Sequence, residues 1–399
     1  MQKLWLNNCL KKWILPSVSS ALLLLSLSSA QAQQLIPAAP ELAAKSWILV
    51  DAETGHIIVE NNADLPLPPA SLVKMMTTYI VSNEIAEGRV KKDDQVLISD
   101  NAWEKGGAKT DGSTMFLSPR TRVPVIDLMR GVIIQSGNDA SIALAEHISG
   151  DEDAFTDSMN QQAALLGMTG TEYFNATGLP YEGMVSTARD LSILARAIIQ
   201  EHPEHYSIYS EKYFKHNNIN QPNRNRLLWR DSSVDGLKTG HTEAAGYCLV
   251  ASAKRKDMRL ISVVMGATSD KNRASQSQKL LSYGFRYFNT KTIYAVGDII
   301  KENAKVWYGA DEFLNLTISD DVTLTLARGA EKKLEANILI DEQIKAPIVI
   351  GQELGRLQVS LEGEILVDTP LVATAAVEQS GLFSRFIDWI VLTITQLLS

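Results

Sequence analysis

The sequence predicts an α/β protein built as an antiparallel sheet packed with helices, followed by a small all-β domain and a C-terminal amphipathic helix. Three observations carry this reading. Strand pairs stand near both ends of the first 288 residues, with helical patterns between them. From residue 289 the texture changes to short alternating apolar runs. The last stretch, GLFSRFIDWIVLTITQLLS, has one wide apolar face and one narrow polar stripe.

The first element, residues 1–32, reads as a cleavable export signal. Lys3, Lys11 and Lys12 precede an apolar stretch that ends in Ala30-Gln31-Ala32. Its loss removes Cys9, so the mature chain keeps only Cys248, forms no internal disulfide and relies on packing alone. The formal charge of −8 becomes more negative still, which argues against a nucleic-acid partner. Six scattered histidines suggest no metal site, and no cofactor motif is present.

Residues 33–288 form the predicted first domain. SWILVDAETGHIIVEN reads as a hairpin turning at Glu53-Thr54-Gly55. Helical patterns follow in 71–87, 123–135, 139–148 and 153–167. GYCLVASAKRKDMRLISVVMGA is a second strand pair, turning between Lys254 and Asp257. Residues 289–375 are the predicted β-domain, with alternation at Val322, Leu324 and Leu326 and again at Leu357, Val359 and Leu361. Residues 376–399 are the tail.

Chemistry enters at PASLVKMMTTYI, residues 69–80. A helix opening at Ser71 puts Lys74 on the same face one turn later, among Leu72, Val73, Met75, Met76, Tyr79 and Ile80. A serine hydroxyl is a poor nucleophile until a neighbour takes its proton, and a buried lysine with a lowered pKa can do that. Two further elements stand downstream: Ser136-Gly137-Asn138 on a loop between helices, and Lys238-Thr239-Gly240. Ser158-Met159-Asn160 also fits S-x-N but sits inside a helical pattern, as polar surface would. In chain order, S-x-x-K, S-x-N and K-T-G form the signature of penicillin-binding proteins and class A β-lactamases.

With SGNDASIALAEH, STARDL, QPNRNRLLW, VDGLKTGHTEAAGY, KLLSYGFRYF, the β-domain and the tail, the chain resembles the low-molecular-mass penicillin-binding proteins that are D-alanyl-D-alanine carboxypeptidases, the group typified by penicillin-binding protein 5. The resemblance implies a serine β-lactamase/DD-peptidase-like first domain, peptidoglycan pentapeptides ending in D-Ala-D-Ala as substrate, and β-lactams as covalent inhibitors. It implies Ser71 as nucleophile, Lys74 as its base, and Lys238 as a second positive charge that keeps Lys74 neutral. Ser136, between the lysines, would relay a proton to the departing amine, and Asn138 would hold Lys74 or the substrate amide. The residues leave the identity of the acylation base open. Main-chain N–H groups at Ser71 and His241 would bind the oxyanion. Thr239 and Gly240 belong to the substrate-binding strand, and Thr239 with Arg273 would receive the terminal carboxylate.

Rival readings are a β-lactamase, for which Glu182 is the one acid to nominate, a DD-endopeptidase, and a non-catalytic penicillin-binding scaffold. Thr187-x-x-Asp190 reads as a capping box, His147 as a structural histidine and Cys248 as core. A membrane-spanning helix needs about 20 predominantly apolar residues. Arg385, Asp388 and the short length of the tail instead favour an in-plane anchor on the periplasmic face of the cytoplasmic membrane.

Overall fold

The computed structural model describes residues 36–398, apart from Ala108, Asp111 and Glu342. The expected export signal lies outside the described residues. A five-stranded antiparallel sheet is assembled from both ends of the first domain: β1 (Ser46–Asp51), β2 (Ile57–Asn61), β3 (Val234–Thr242), β4 (Gly246–Arg255) and β5 (Met258–Ala267), in the order β2-β1-β5-β4-β3. The K-T-G segment lies within β3, at the sheet edge.

The inner strands are apolar on both faces because both are covered. Alternate residues point to opposite sides of a strand. Ile48 and Val50 therefore join Cys248, Val250, Ile261 and Val263 in a core beneath the helical layer. Trp47 and Leu49 join Leu249, Ala251, Leu260 and Val264 beneath the helix Asp270–Tyr287. The helical layer holds its own apolar cluster around Val81, Ile98, Met115, Leu128 and Leu144. Within it runs α1 (Lys74–Ala86), buried nearly all round through its first turns, as its unpatterned apolar sequence requires.

The Asp270–Tyr287 helix leads directly into a strand, Phe288–Tyr294, that pairs with Val322–Ala327. The other sheet of the β-domain is six-stranded, around Leu316, Leu357, Val359 and Leu371. One carboxylate ties the domains together. Asp51 Oδ1 accepts the main-chain N–H groups of Glu53 and Thr54 at 2.9 and 3.0 Å, while Oδ2 accepts the Thr290 hydroxyl at 2.5 Å. Thr54 and Thr325 share a further hydroxyl contact at 2.7 Å.

Several local expectations change. Thr187 Oγ1 caps its helix by accepting from Asp190 N at 3.0 Å. The Asp190 carboxylate, however, turns to Gly170 N and Thr171 Oγ1 instead of closing the box. His147 is exposed rather than structural. Asn160 exchanges two hydrogen bonds with the Tyr173 main chain, so the second S-x-N is a loop tether and not a polar surface. Cys248, by contrast, is the core residue expected, a buried free thiol.

Candidate active site

Ser71 lies in a 3-10 turn, Ala70–Val73, that runs straight into α1, so it precedes the α-helix instead of opening it. Lys74 is the first α-helical residue and is almost wholly buried. Its Nζ donates to Asn138 Oδ1 at 2.7 Å and to the Thr177 main-chain oxygen, and lies 3.3 Å from Ser71 Oγ. A neutral amine has two N–H donors and one lone pair. Two obligate acceptors claim the donors, and the lone pair is left for the Ser71 hydroxyl proton. Burial first, and then the charge of Arg224, push the Lys74 pKa down from 10.5 to about 7, against the weaker pull of Asp139 and Glu152.

Ser136 follows a single π-helical turn, Gly131–Gln135, and takes a left-handed backbone, φ 62°. Such a conformation costs a non-glycine residue about 1–3 kcal/mol and persists only where the surroundings impose it. Here it aims Ser136 Oγ at Lys238 Nζ, 2.8 Å away. Ser136 is hydrogen-bonded to Lys238 and not to Lys74 among the described contacts, so the expected position between the lysines holds on one side only. Burial, then the charge of Lys74, hold Lys238 well below the ordinary lysine range. The charge of Lys74 thus acts on Lys238, whereas the cation that lowers Lys74 is Arg224, so the part expected of Lys238 in keeping Lys74 neutral falls to burial and Arg224.

Asn138 opens the next helix, Asn138–Ser149, and Asp139 beside it is fully buried. The Asp139 carboxylate accepts from Thr114 Oγ1, Met115 N and Leu117 N at 2.7–3.0 Å. It thereby fixes the 113–117 segment whose start, Ser113, lines the cleft. Across the cleft, Gly178 has φ +77°, and a Cβ there would stand 2.0 Å from the Ala70 main-chain oxygen. Only glycine fits that position beside the nucleophile's turn. Asn175 Oδ1 accepts from Thr177 N, Thr177 Oγ1 and Gly178 N, holding the carbonyl that receives Lys74.

Ser71, Ser136, Asn138, Thr239, Gly240, His241 and Arg273 all line one cleft of about 240 Å³, with Lys74 and Lys238 beneath its floor. Arg273 is buried and already engaged, through Nη1 to Gly240 O at 2.9 Å and Nη2 to Asp270 Oδ1 at 2.5 Å. The His241 ring is exposed and stacks on Tyr247 at 4.0 Å. Glu182 lines a neighbouring hollow and is absent from the cleft wall. Sequence reasoning gave no role to Arg224, which donates to the Gln135 main-chain oxygen at 3.2 Å, or to the Thr177-Gly178 turn. The only signals were QPNRNR, quoted without an assignment, and the turn-forming residues of NATGLP.

This arrangement has known counterparts. Residues 33–269 match the family described as D-alanyl-D-alanine carboxypeptidase, and residues 288–379 match the penicillin-binding protein 5 C-terminal domain. The chain is 43% identical over 383 residues to D-alanyl-D-alanine carboxypeptidase DacC of Escherichia coli (strain K12), covering 95% of this chain and 96% of that one. A crystal structure of penicillin-binding protein 5 from Haemophilus influenzae superposes with a TM-score of 0.80 at 40% identity, over 86% of this chain and 100% of that one. Penicillin-binding protein D2 from Listeria monocytogenes in its ampicillin-bound form matches with a TM-score of 0.56 at 30% identity, over 62% of this chain and 100% of that one.

Proposed function

Because the chain belongs to the D-alanyl-D-alanine carboxypeptidase family, we propose that it removes the terminal D-alanine from peptidoglycan stem peptides through an acyl-enzyme on Ser71, and that β-lactams acylate the same oxygen. The observation that carries this reading is the Lys74 amine, with both donors spent on carbonyl oxygens and its free side 3.3 Å from Ser71 Oγ. Lys74 takes the hydroxyl proton as Ser71 attacks the penultimate D-Ala carbonyl. The main-chain N–H groups of Ser71 and His241 receive the oxyanion. Ser136, on Lys238, passes a proton to the departing D-Ala nitrogen, and water then hydrolyses the ester. Thr239 and Arg273 hold the terminal carboxylate, with Gly240 fixing Arg273 through its carbonyl. The test is incubation with a peptide ending in D-Ala-D-Ala. Many equivalents of free D-Ala per enzyme support the reading, and none from folded enzyme removes it.

The enzyme works at the periplasmic face of the cytoplasmic membrane, exported by residues 1–32 and held there by its tail. Support comes from the helix Leu382–Leu398, which rests a polar group on the β-domain: Asp388 Oδ2 accepts Tyr308 N at 2.7 Å, and Leu392 is buried beside it. Leu382, Phe383, Phe386, Trp389 and Ile394 face outward and are exposed. No helix among the described residues is long and apolar enough to cross a membrane. A helix with an outward apolar face and its polar side on protein suits the interfacial plane.

A further inference from the structure

The turn that receives Lys74 is held from outside the cleft as well as from within it. The chain reads SGDEDAF over residues 149–155, and the helix Glu152–Leu165 opens there with Asp151 as its cap, Oδ1 accepting Ala154 N at 2.8 Å. Glu152, in the first turn, reaches across to a second segment, where Oε1 accepts Ala176 N at 3.0 Å. The Ala176 carbonyl accepts Thr77 Oγ1 at 2.8 Å, and Thr77 stands three residues after Lys74 on α1. Both polar groups of the buried Ala176 main chain are therefore claimed, one by each helix. The next carbonyl, Thr177 O, is the one that accepts Lys74 Nζ. Further along the Glu152 helix, Asn160 fastens Tyr173 N and O at 2.8 and 2.9 Å, so one helix grips both ends of the approach to the turn.

We propose that Glu152 is a positioning residue for the catalytic base, its carboxylate fixing the Ala176-Thr177 main chain against α1 and setting a negative charge beside the turn that Lys74 engages. The inference rests on the reading of Lys74 as the base. Glu152 is half-buried and has no ion pair among the described residues. The charged groups around it are Lys105 on the helix Asp100–Gly106, Glu146 on Asn138–Ser149, Asp153 beside it, and Lys74. Burial pushes its carboxyl above the ordinary range, against the Ala176 N–H and the charge of Lys105. Its own charge favours the protonated form of Lys74, opposing burial and Arg224. Geometry and charge thus act in opposite senses. The bond to Ala176 N keeps Thr177 O where it occupies one Lys74 donor and leaves the lone pair to Ser71, whereas the charge keeps Lys74 protonated to a higher pH than the site otherwise allows.

The rate of penicillin acylation of full-length enzyme from pH 5 to 9 reads the base, while D-Ala release reads the carboxypeptidase activity, so the two readings fail separately. Glu152→Gln keeps an oxygen for Ala176 N and removes the charge. It is expected to retain at pH 6 a fraction of its own pH 9 rate about two- to fivefold larger than wild type retains, its acid limb displaced to lower pH. Glu152→Ala loses the tether as well and is expected to acylate about 10-fold more slowly across the whole range, because a displaced carbonyl misplaces the amine. Asp153→Asn, which deletes an exposed charge one residue away, is the control and should keep the wild-type profile. An acid limb unmoved in Glu152→Gln, an equal displacement in Asp153→Asn, or a Glu152→Ala enzyme that acylates at the wild-type rate overturns the role. A wild type that is labelled by penicillin yet releases no D-Ala refutes the carboxypeptidase reading alone.

Discussion

Replacing Lys74 by methionine separates the energetic burden of a poised base from its chemistry. Burial and Arg224 lower the lysine pKa from 10.5 to about 7. At about 1.36 kcal/mol per pKa unit this burdens the fold by about 4–5 kcal/mol at neutral pH. The sign follows from a base whose folded value is depressed. The burden is full below pH 7 and fades as pH rises toward 10.5, where the unfolded chain also loses the proton. Methionine fills the space with an unbranched, adaptable side chain. It strands two acceptors, Asn138 Oδ1 and Thr177 O, at about 1–3 kcal/mol each. With the two stranded acceptors costing about 2–6 kcal/mol together, Lys74→Met is therefore expected to lie within about 3 kcal/mol of the wild type at pH 7, to lose stability relative to it steadily as pH rises, and to be the less stable form near pH 10. Urea unfolding of both proteins from pH 6 to 10 measures the difference, and penicillin labelling of the variant should be lost. A stability difference that does not vary with pH refutes the picture of a lysine held neutral.

Three further outcomes follow from the geometry. The kcat/KM for acylation should rise with pH through about 7, since the base must be neutral; a rate flat from pH 5 to 9 contradicts it. Gly178→Ala meets both φ +77° and the Ala70 oxygen, so it should destabilise the protein by about 2 kcal/mol or more and slow labelling, measurable by thermal unfolding and a penicillin time course. Arg273→Ala should weaken a carboxylate substrate about 10-fold more than its amidated analogue, and equal losses on both would assign Arg273 to structure alone.

Truncation tests the tail, and the structure sets where the cut belongs. Val377 pairs with Ile348, and Ser380 N donates to Tyr308 O at 2.8 Å, so the chain is stitched to the β-domain through Ser380. Ending the protein after Gly381 should leave a soluble enzyme active on small peptides, whereas persistent sedimentation with membranes counts against the anchor.

What could be read in the sequence was whatever local spacing carries. Ser71 and Lys74 are three residues apart, so any helical geometry brings them together, and K-T-G with Ser136-Gly137-Asn138 completed a recognisable order. The partners of Lys74 were hidden because they act through the main chain or across long separations. Thr177 contributes a carbonyl from 103 residues away, which no side-chain pattern announces. Arg224 reaches the site by holding the Gln135 carbonyl at the end of a π-turn, and that turn is a backbone event within an ordinary apolar run, GVIIQ. The helix start was misplaced by one short turn because 3-10 and α spacing differ little over four residues. The strand pairs were legible because alternation and turn residues agree, yet the edge position of β3 depends on the order of five strands.

The central claim is that Ser71 forms the acyl-enzyme with Lys74 as its base. Intact-mass measurement after a brief exposure to penicillin, followed by peptide mapping, tests it most directly. One penicillin adduct per chain is predicted, on the peptide containing Ser71, absent in Ser71→Ala and slow to form in Lys74→Met. An adduct that persists in folded Ser71→Ala, or maps to another residue, contradicts the account.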